Sequence, residues 1–224
     1  MNQFIAAWEF SLKHFQYLFL LVLPVMVSEI VVAYLLIPVN GMEDPVDILE
    51  YISGNTNSLS LASLVALILS VSLTGGLMLG YQSVLTRKGN PIDCLFGGIK
   101  KFFPLLGASI LSSLLIILGG ILLILPAFYF MGRVYLAPAY IVFEDKGVFE
   151  SLRSSWDATD AHGTTLFFLT FVFFVLTAAA GIIVTFLVFE VSPVAATIGA
   201  GLIEYIFLLP WIYIYFSLYK SIKS

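Results

Sequence analysis

Residues 18 to 38, LFLLVLPVMVSEIVVAYLLIP, hold a single charged side chain, Glu29. A helix needs about 20 apolar residues to cross a hydrocarbon layer of about 30 Å, so a run of this length sets the solvent before anything else. Inside hydrocarbon every backbone N–H and C=O must be bonded internally, which leaves helices or a closed barrel. The run is continuous rather than alternating, so it is read as a helix. Five more such runs follow, and the spans are expected at 17–38, 59–85, 104–124, 126–143, 164–189 and 193–217. Composition agrees: 60% of the 224 residues are hydrophobic and 11% charged, with a mean hydropathy of +1.04, outside the range of ordinary globular domains. The fold class is therefore all-α and polytopic, with 1–224 as a single integral membrane domain. The first run is longer than a signal-peptide core and is followed by no clear small-x-small cleavage site, so it is expected to be retained.

The third and fourth spans are separated only by Pro126 in LLILPAFYF. About 40 apolar residues are too many for one crossing, so a tight hairpin is expected there. Charge then orients the bundle. Lys13, Arg87, Lys88, Lys100, Lys101, Lys146, Arg153, Lys220 and Lys223 all fall on one side, which by the positive-inside rule is the cytoplasm. Both termini are expected inside, and the acidic loop from Val39 to Ser58 outside.

Each odd-numbered span is preceded by a segment with helical apolar spacing. These are Ile5, Trp8, Leu12 and Phe15; Ile92, Leu95, Phe96, Ile99 and Phe103; and Phe149, Leu152 and Trp156. Each reads as a helix in the cytoplasmic interface, anchored by Trp8, Phe96 and Trp156. An ungapped alignment stacks Trp8 on Leu95 and Trp156, His14 on Lys101 and His162, and Leu18 on Leu105 and Leu166. The chain thus reads as three hairpins of spans, each behind an interfacial helix, with repeats at 1–85, 91–143 and 148–217. Small residues at four-residue spacing (Ala62, Ala66, Ser70, Thr74; Gly76 and Gly80; Ala195 and Gly199; Ala196 and Ala200) mark expected packing seams.

Several classes drop out. A net charge of -4 with no basic cluster argues against nucleic acid. Cys94 stands alone, so neither a disulfide within the chain nor a thiolate metal site is expected. Asp157, Asp160 and His162 are too unevenly spaced on one helix to read as metal ligands; Asp160 and Thr164 read instead as starting the fifth span. Asp44, Asp47 and Glu50 fit a short outer helix that starts at Asp44-Pro45 and stops at Gly54. HExxH, GxSxG and Walker glycine loops do not occur, so no catalytic residue, cofactor or metal is assigned.

Leu136, Ala137 and Pro138, then Gly147, Val148 and Phe149, then Ser151, Leu152, Arg153, Ser154, Ser155 and Trp156 form a pattern: a span ending in Leu-Ala-Pro, a short acidic turn with glycine, and an amphipathic helix. The pattern resembles the YciC-type family of bacterial inner-membrane proteins. It is more distantly similar to the membrane domain found with glycerophosphodiester phosphodiesterases. The resemblance implies a multi-span helical protein of the bacterial inner membrane and carries no hydrolase activity, because it covers the membrane domain alone. Asp157 and Asp160 depart from the pattern, which removes an anionic-lipid contact from what it implies.

The intramembrane charges are the candidate site: Glu29, Arg133 and Glu204. Counted from Pro38, Pro126 and Pro193 at helical rise, they lie about 14, 10 and 16 Å from the outer edge. Facing lipid, each would cost about 2.5 to 3.5 kcal/mol, so they should turn inward, with Arg133 pairing with Glu204 or Glu29. The first functional reading is a non-enzymatic inner-membrane protein that organises or partners other envelope proteins, as a homo-oligomer or with a second membrane protein. The second is a small transporter or channel using Glu29, Arg133 and Glu204, and the third a lipid-modifying enzyme.

Overall fold

The computed structural model describes residues 2–189 and 191–223. Among them the chain forms helices and no strand: α1 Asn2–Lys13, α2 Phe15–Leu36, α3 Pro45–Gly54, α4 Thr56–Thr86, α5 Pro91–Lys100, α6 Phe102–Leu122, α7 Ile124–Val134, α8 Ala137–Glu144, α9 Val148–Ala158, α10 Gly163–Val188 and α11 Pro193–Lys223. Six stretches among the described residues are long and apolar enough to cross a membrane: Phe15–Val39, Thr56–Thr86, Phe102–Ile121, Ile124–Glu144, Asp160–Val188 and Val194–Lys223.

Local sequence explains the ends. α3 begins where Asp44 accepts a bond from the Val46 N–H at 2.8 Å with Pro45 in the first turn, and it ends at Gly54 as expected. α5 repeats the device, with Asn90 accepting from the Ile92 N–H at 3.3 Å ahead of Pro91. Between the third and fourth spans the chain turns at Leu123, which is extended (φ -168, ψ 151), and Pro126 sits in the first turn of α7, where no N–H is needed.

The fourth span departs from the expected single helix over 126–143. It breaks between Val134 and Ala137 into α7 and α8. Pro138 is the cause: its ring excludes the carbonyl four residues back, that of Val134, and Val134 is the last residue of α7.

α2, α4 and α11 pack around one core containing Leu18, Leu21 and Val25, Leu73, Leu77 and Tyr81, and Leu209, Ile212 and Phe216. Tyr81 donates to the Leu209 carbonyl at 2.7 Å, next to Pro210, whose missing N–H interrupts the helix ladder. Of the small residues of α4, Gly76 and Gly80 mark close approach. A β-carbon at Gly80 would lie 2.8 Å from Leu21 of α2, and one at Gly98 of α5 would lie 2.1 Å from the Ser72 carbonyl oxygen. Backbone thus meets backbone where α5 crosses α4.

Three corners have one geometry. His14 between α1 and α2 has φ -112 and ψ 20, Lys101 between α5 and α6 -104 and 17, and His162 ahead of α10 -115 and 2. These are the three residues that the alignment stacks. Asn55, between α3 and α4, shares the conformation at -110 and 14, so the corner is a general way to join two helices at an angle.

Candidate functional site

Arg133 is 1% exposed, a charge placed one residue before the end of α7. Its Nη2 donates to the Trp156 carbonyl at 2.8 Å and to Asp160 at 2.9 Å. Its Nη1 lies 3.4 Å from both the Thr159 carbonyl and the Tyr129 hydroxyl. The guanidinium carbon sits 4.5 Å from the centre of the Trp156 ring and 5.7 Å from that of Tyr129. Trp156 and Thr159 close α9, whose last carbonyls have no intrahelical donor and carry the negative end of the helix dipole. Arg133 is therefore a cap supplied from another helix. Of the three guanidinium nitrogens, Nε has no hydrogen-bond partner among the described residues.

α9 is built to receive it. Ser151, Ser155 and Thr159, at four-residue spacing, are all fully buried, whereas Phe149 is 79% exposed. Ser155 Oγ donates to the Arg133 carbonyl at 2.6 Å, and Thr159 Oγ1 donates to the Ser155 carbonyl at 2.7 Å. The face turned to the protein is thus the small hydroxyl stripe, which lets helices approach closely and bonds the Arg133 carbonyl near the end of α7.

This overturns the expected pairing. Arg133 meets neither Glu204 nor Glu29, because the end of α7 brings its side chain to the carbonyl end of α9 rather than to the facing spans. Asp160 does not cap α10 either. His162 holds the N-cap position with no side-chain cap bond, and Asp160, 81% exposed, faces Arg133. Asp157 sits 3.8 Å from Arg153. No group of three metal-ligating side chains occurs among the described residues.

Glu29 and Glu204 lie within electrostatic range of one another. The Tyr205 hydroxyl donates to Glu29, and Glu204 is an electrostatic neighbour of Glu29. None of the ion pairs among the described residues involves either acid. Glu204 does not turn inward as expected: it is exposed, and it lines a cleft of about 480 Å³ between α7, α10 and α11. Of the expected interfacial anchors, Phe96 is 57% exposed. Two rings turn toward protein instead: Trp8 packs on Phe207 at 5.1 Å and Phe173 at 6.3 Å, and Trp156 lies under Arg133. An indole offers the guanidinium a flat, electron-rich face, which an aliphatic residue cannot.

A second charged cluster joins the end of α8 to the end of α11. Glu144 accepts from Lys223 at 2.7 Å, from the Tyr219 hydroxyl at 2.9 Å, and lies 3.2 Å from Lys146; Lys101 pairs with Asp145. Sequence reading did not single out this cluster, in which Glu144 and Tyr219 are 75 residues apart.

Among the described residues the protein is all-helical, with six helical stretches long and apolar enough to span a membrane. Residues 49–209 match the family described as Domain of unknown function (DUF7847), and the chain belongs to that family. No curated protein and no solved structure matches it.

Proposed function

We propose that the chain is a non-enzymatic multi-pass protein of the bacterial inner membrane that organises or partners other envelope proteins. Its termini lie in the cytoplasm. The observation that carries the non-catalytic reading is the bonding of Arg133: both terminal nitrogens bond to the protein's own carbonyls, hydroxyl and carboxylate, so its charge closes a helix junction instead of waiting for a substrate. The spans form three hairpins, each behind an interfacial helix. Supporting this, the apolar residues Ile5, Leu12, Ile92, Phe96, Phe103 and Phe149 of those segments are exposed, as lipid-facing side chains are. Repetition over 1–85, 91–143 and 148–217 rests on the ungapped alignment that stacks His14, Lys101 and His162, since Asn55 shares the backbone geometry of those corners. The resemblance of Leu136 to Trp156 to the YciC-type family, and more distantly to the phosphodiesterase membrane domain, supports the location.

The test is complementation of a deletion strain by Arg133→Leu, read beside the amount of folded protein in the membrane. An architectural role predicts that function falls in proportion to folded protein. Full folding with lost function would instead place Arg133 in a working site. A transporter or channel is the second reading, favoured by Glu29 and Glu204 lying within electrostatic range of one another beside a cleft.

A further inference from the structure

The cleft between α7, α10 and α11 combines three features: room, aromatic walls and one carboxylate. Its volume of about 480 Å³ is that of a small-molecule site. Tyr135, Phe173, Phe174, Phe207 and Trp211 line it together with Glu204. Tyr135 and Trp211 pack at 4.3 Å between centroids, and the Trp211 Nε1 is held by Thr170 at 3.4 Å, so this wall is fixed in orientation. Thr170 is in turn bonded to Tyr215 at 2.9 Å.

The chemistry of the lining selects a ligand class. A carboxylate in a spanning helix needs a cation partner or a proton, and none of the protein's own cations is paired with Glu204 among the described residues. Calcium or magnesium requires about six or more oxygen ligands, while these walls are mostly ring and aliphatic carbon. An organic cation has the opposite needs: a single counter-charge, apolar contact for its body, and ring faces that attract its diffuse positive charge. Anions and anionic headgroups are repelled by Glu204.

We propose that this cleft binds a hydrophobic organic monocation, with Glu204 as counter-ion and the rings of Trp211 and Tyr135 as its wall. Glu29, tied to Tyr205, adds negative potential at Glu204. Occupancy of the cleft goes beyond both readings of the protein's role, since a partner protein could use a bound cation as readily as a carrier could move one; liposome flux assays address the carrier separately.

The test uses the full chain in nanodiscs and two probes of one shape and opposite charge, tetraphenylphosphonium and tetraphenylborate. Equilibrium binding should show one saturable site for tetraphenylphosphonium, with no competition from tetraphenylborate. Glu204→Gln, whose side chain is nearly the same size, should weaken binding at least tenfold while keeping the wild-type elution profile and thermal midpoint. Trp211→Leu should weaken it less. Absence of saturable binding to the unmodified chain, equal binding of the borate, or unchanged affinity in a folded Glu204→Gln protein overturns the proposal. Should Glu204→Gln fail to fold, the comparison of the two probes on the unmodified chain decides alone.

Discussion

Arg133 meets Trp156 twice: its Nη2 donates to the Trp156 carbonyl at 2.8 Å, and its guanidinium carbon stands 4.5 Å from the centre of the Trp156 ring. One side chain thus serves both the backbone and the side chain of a residue in the last turn of α9. A planar fork with several donors can do this, and an ammonium on a flexible stem cannot.

Truncating that fork should be costly. Arg133→Leu takes the charged donor away from the Trp156 and Thr159 carbonyls, leaving them the Thr159 hydroxyl at 3.2 Å and the His162 N–H at 3.0 Å, and hydrogen bonds to a charged group contribute about 1.5 to 3 kcal/mol each. The thermal midpoint in detergent should fall by an amount corresponding to about 3 kcal/mol or more. Arg133→Lys should fall between the two. Asp160→Asn should cost under about 1 kcal/mol, because Asp160 is 81% exposed and water screens the pair. Equal losses for Arg133→Leu and Asp160→Asn would mean that the ion pair, not the helix cap, holds the junction.

The α4–α5 crossing gives a second prediction. A β-carbon at Gly98 would sit 2.1 Å from the Ser72 oxygen and 2.9 Å from the Gly76 nitrogen, both backbone atoms that cannot swing aside. Gly98→Ala should reduce folded yield and lower the midpoint by the equivalent of about 1 to 3 kcal/mol. Gly201→Ala, with nothing within 4 Å, should be neutral or raise it slightly, since alanine restricts the unfolded chain. The measurement is the pair of midpoints, and a milder Gly98 variant than Gly201 variant contradicts the packing.

Topology can be read with fusions. Cytoplasm-active reporters after Lys88 or Lys146 should be active, and periplasm-active reporters should work near Asn55, because the basic residues gather on one side of the spans. Strong periplasmic activity at Lys146 contradicts the orientation.

Fluorescence separates the rings. In variants with a single tryptophan, Phe96→Trp should be quenched by brominated lipid more strongly than Trp156, since Phe96 is 57% exposed and Trp156 is covered by Arg133. Both should respond to shallow bromines. Stronger quenching at Trp156 would mean that its ring faces acyl chains.

The six spans were legible because hydropathy over 20 residues integrates a large signal, and the α3 start was legible because Asp44-Pro45 is a strong local one. The break in the fourth span was legible in principle. Pro138 bars Val134 from bonding onward, yet the apolar run across Tyr135 hid it. The partners of Arg133 were not legible as residue types, because two of them are main-chain carbonyls, which every residue carries. A trace was there: Ser151, Ser155 and Thr159 form a hydroxyl stripe beside the more conspicuous stripe of Phe149, Leu152 and Trp156, and the hydroxyls turn inward. The approach of Glu29 to Glu204 depends on α2 packing beside α11, a matter of helix order on which hydropathy is silent.

The most direct test of Arg133 as a helix cap compares the thermal midpoint of Arg133→Leu with that of Arg133→Leu combined with Glu204→Leu, both as purified full chains in one detergent. A cap that meets α9 and not the acids predicts no rescue: the double variant unfolds at or below the midpoint of Arg133→Leu. Recovery of the double variant toward the wild-type midpoint would show that Arg133 and Glu204 compensate one another, and would contradict the account.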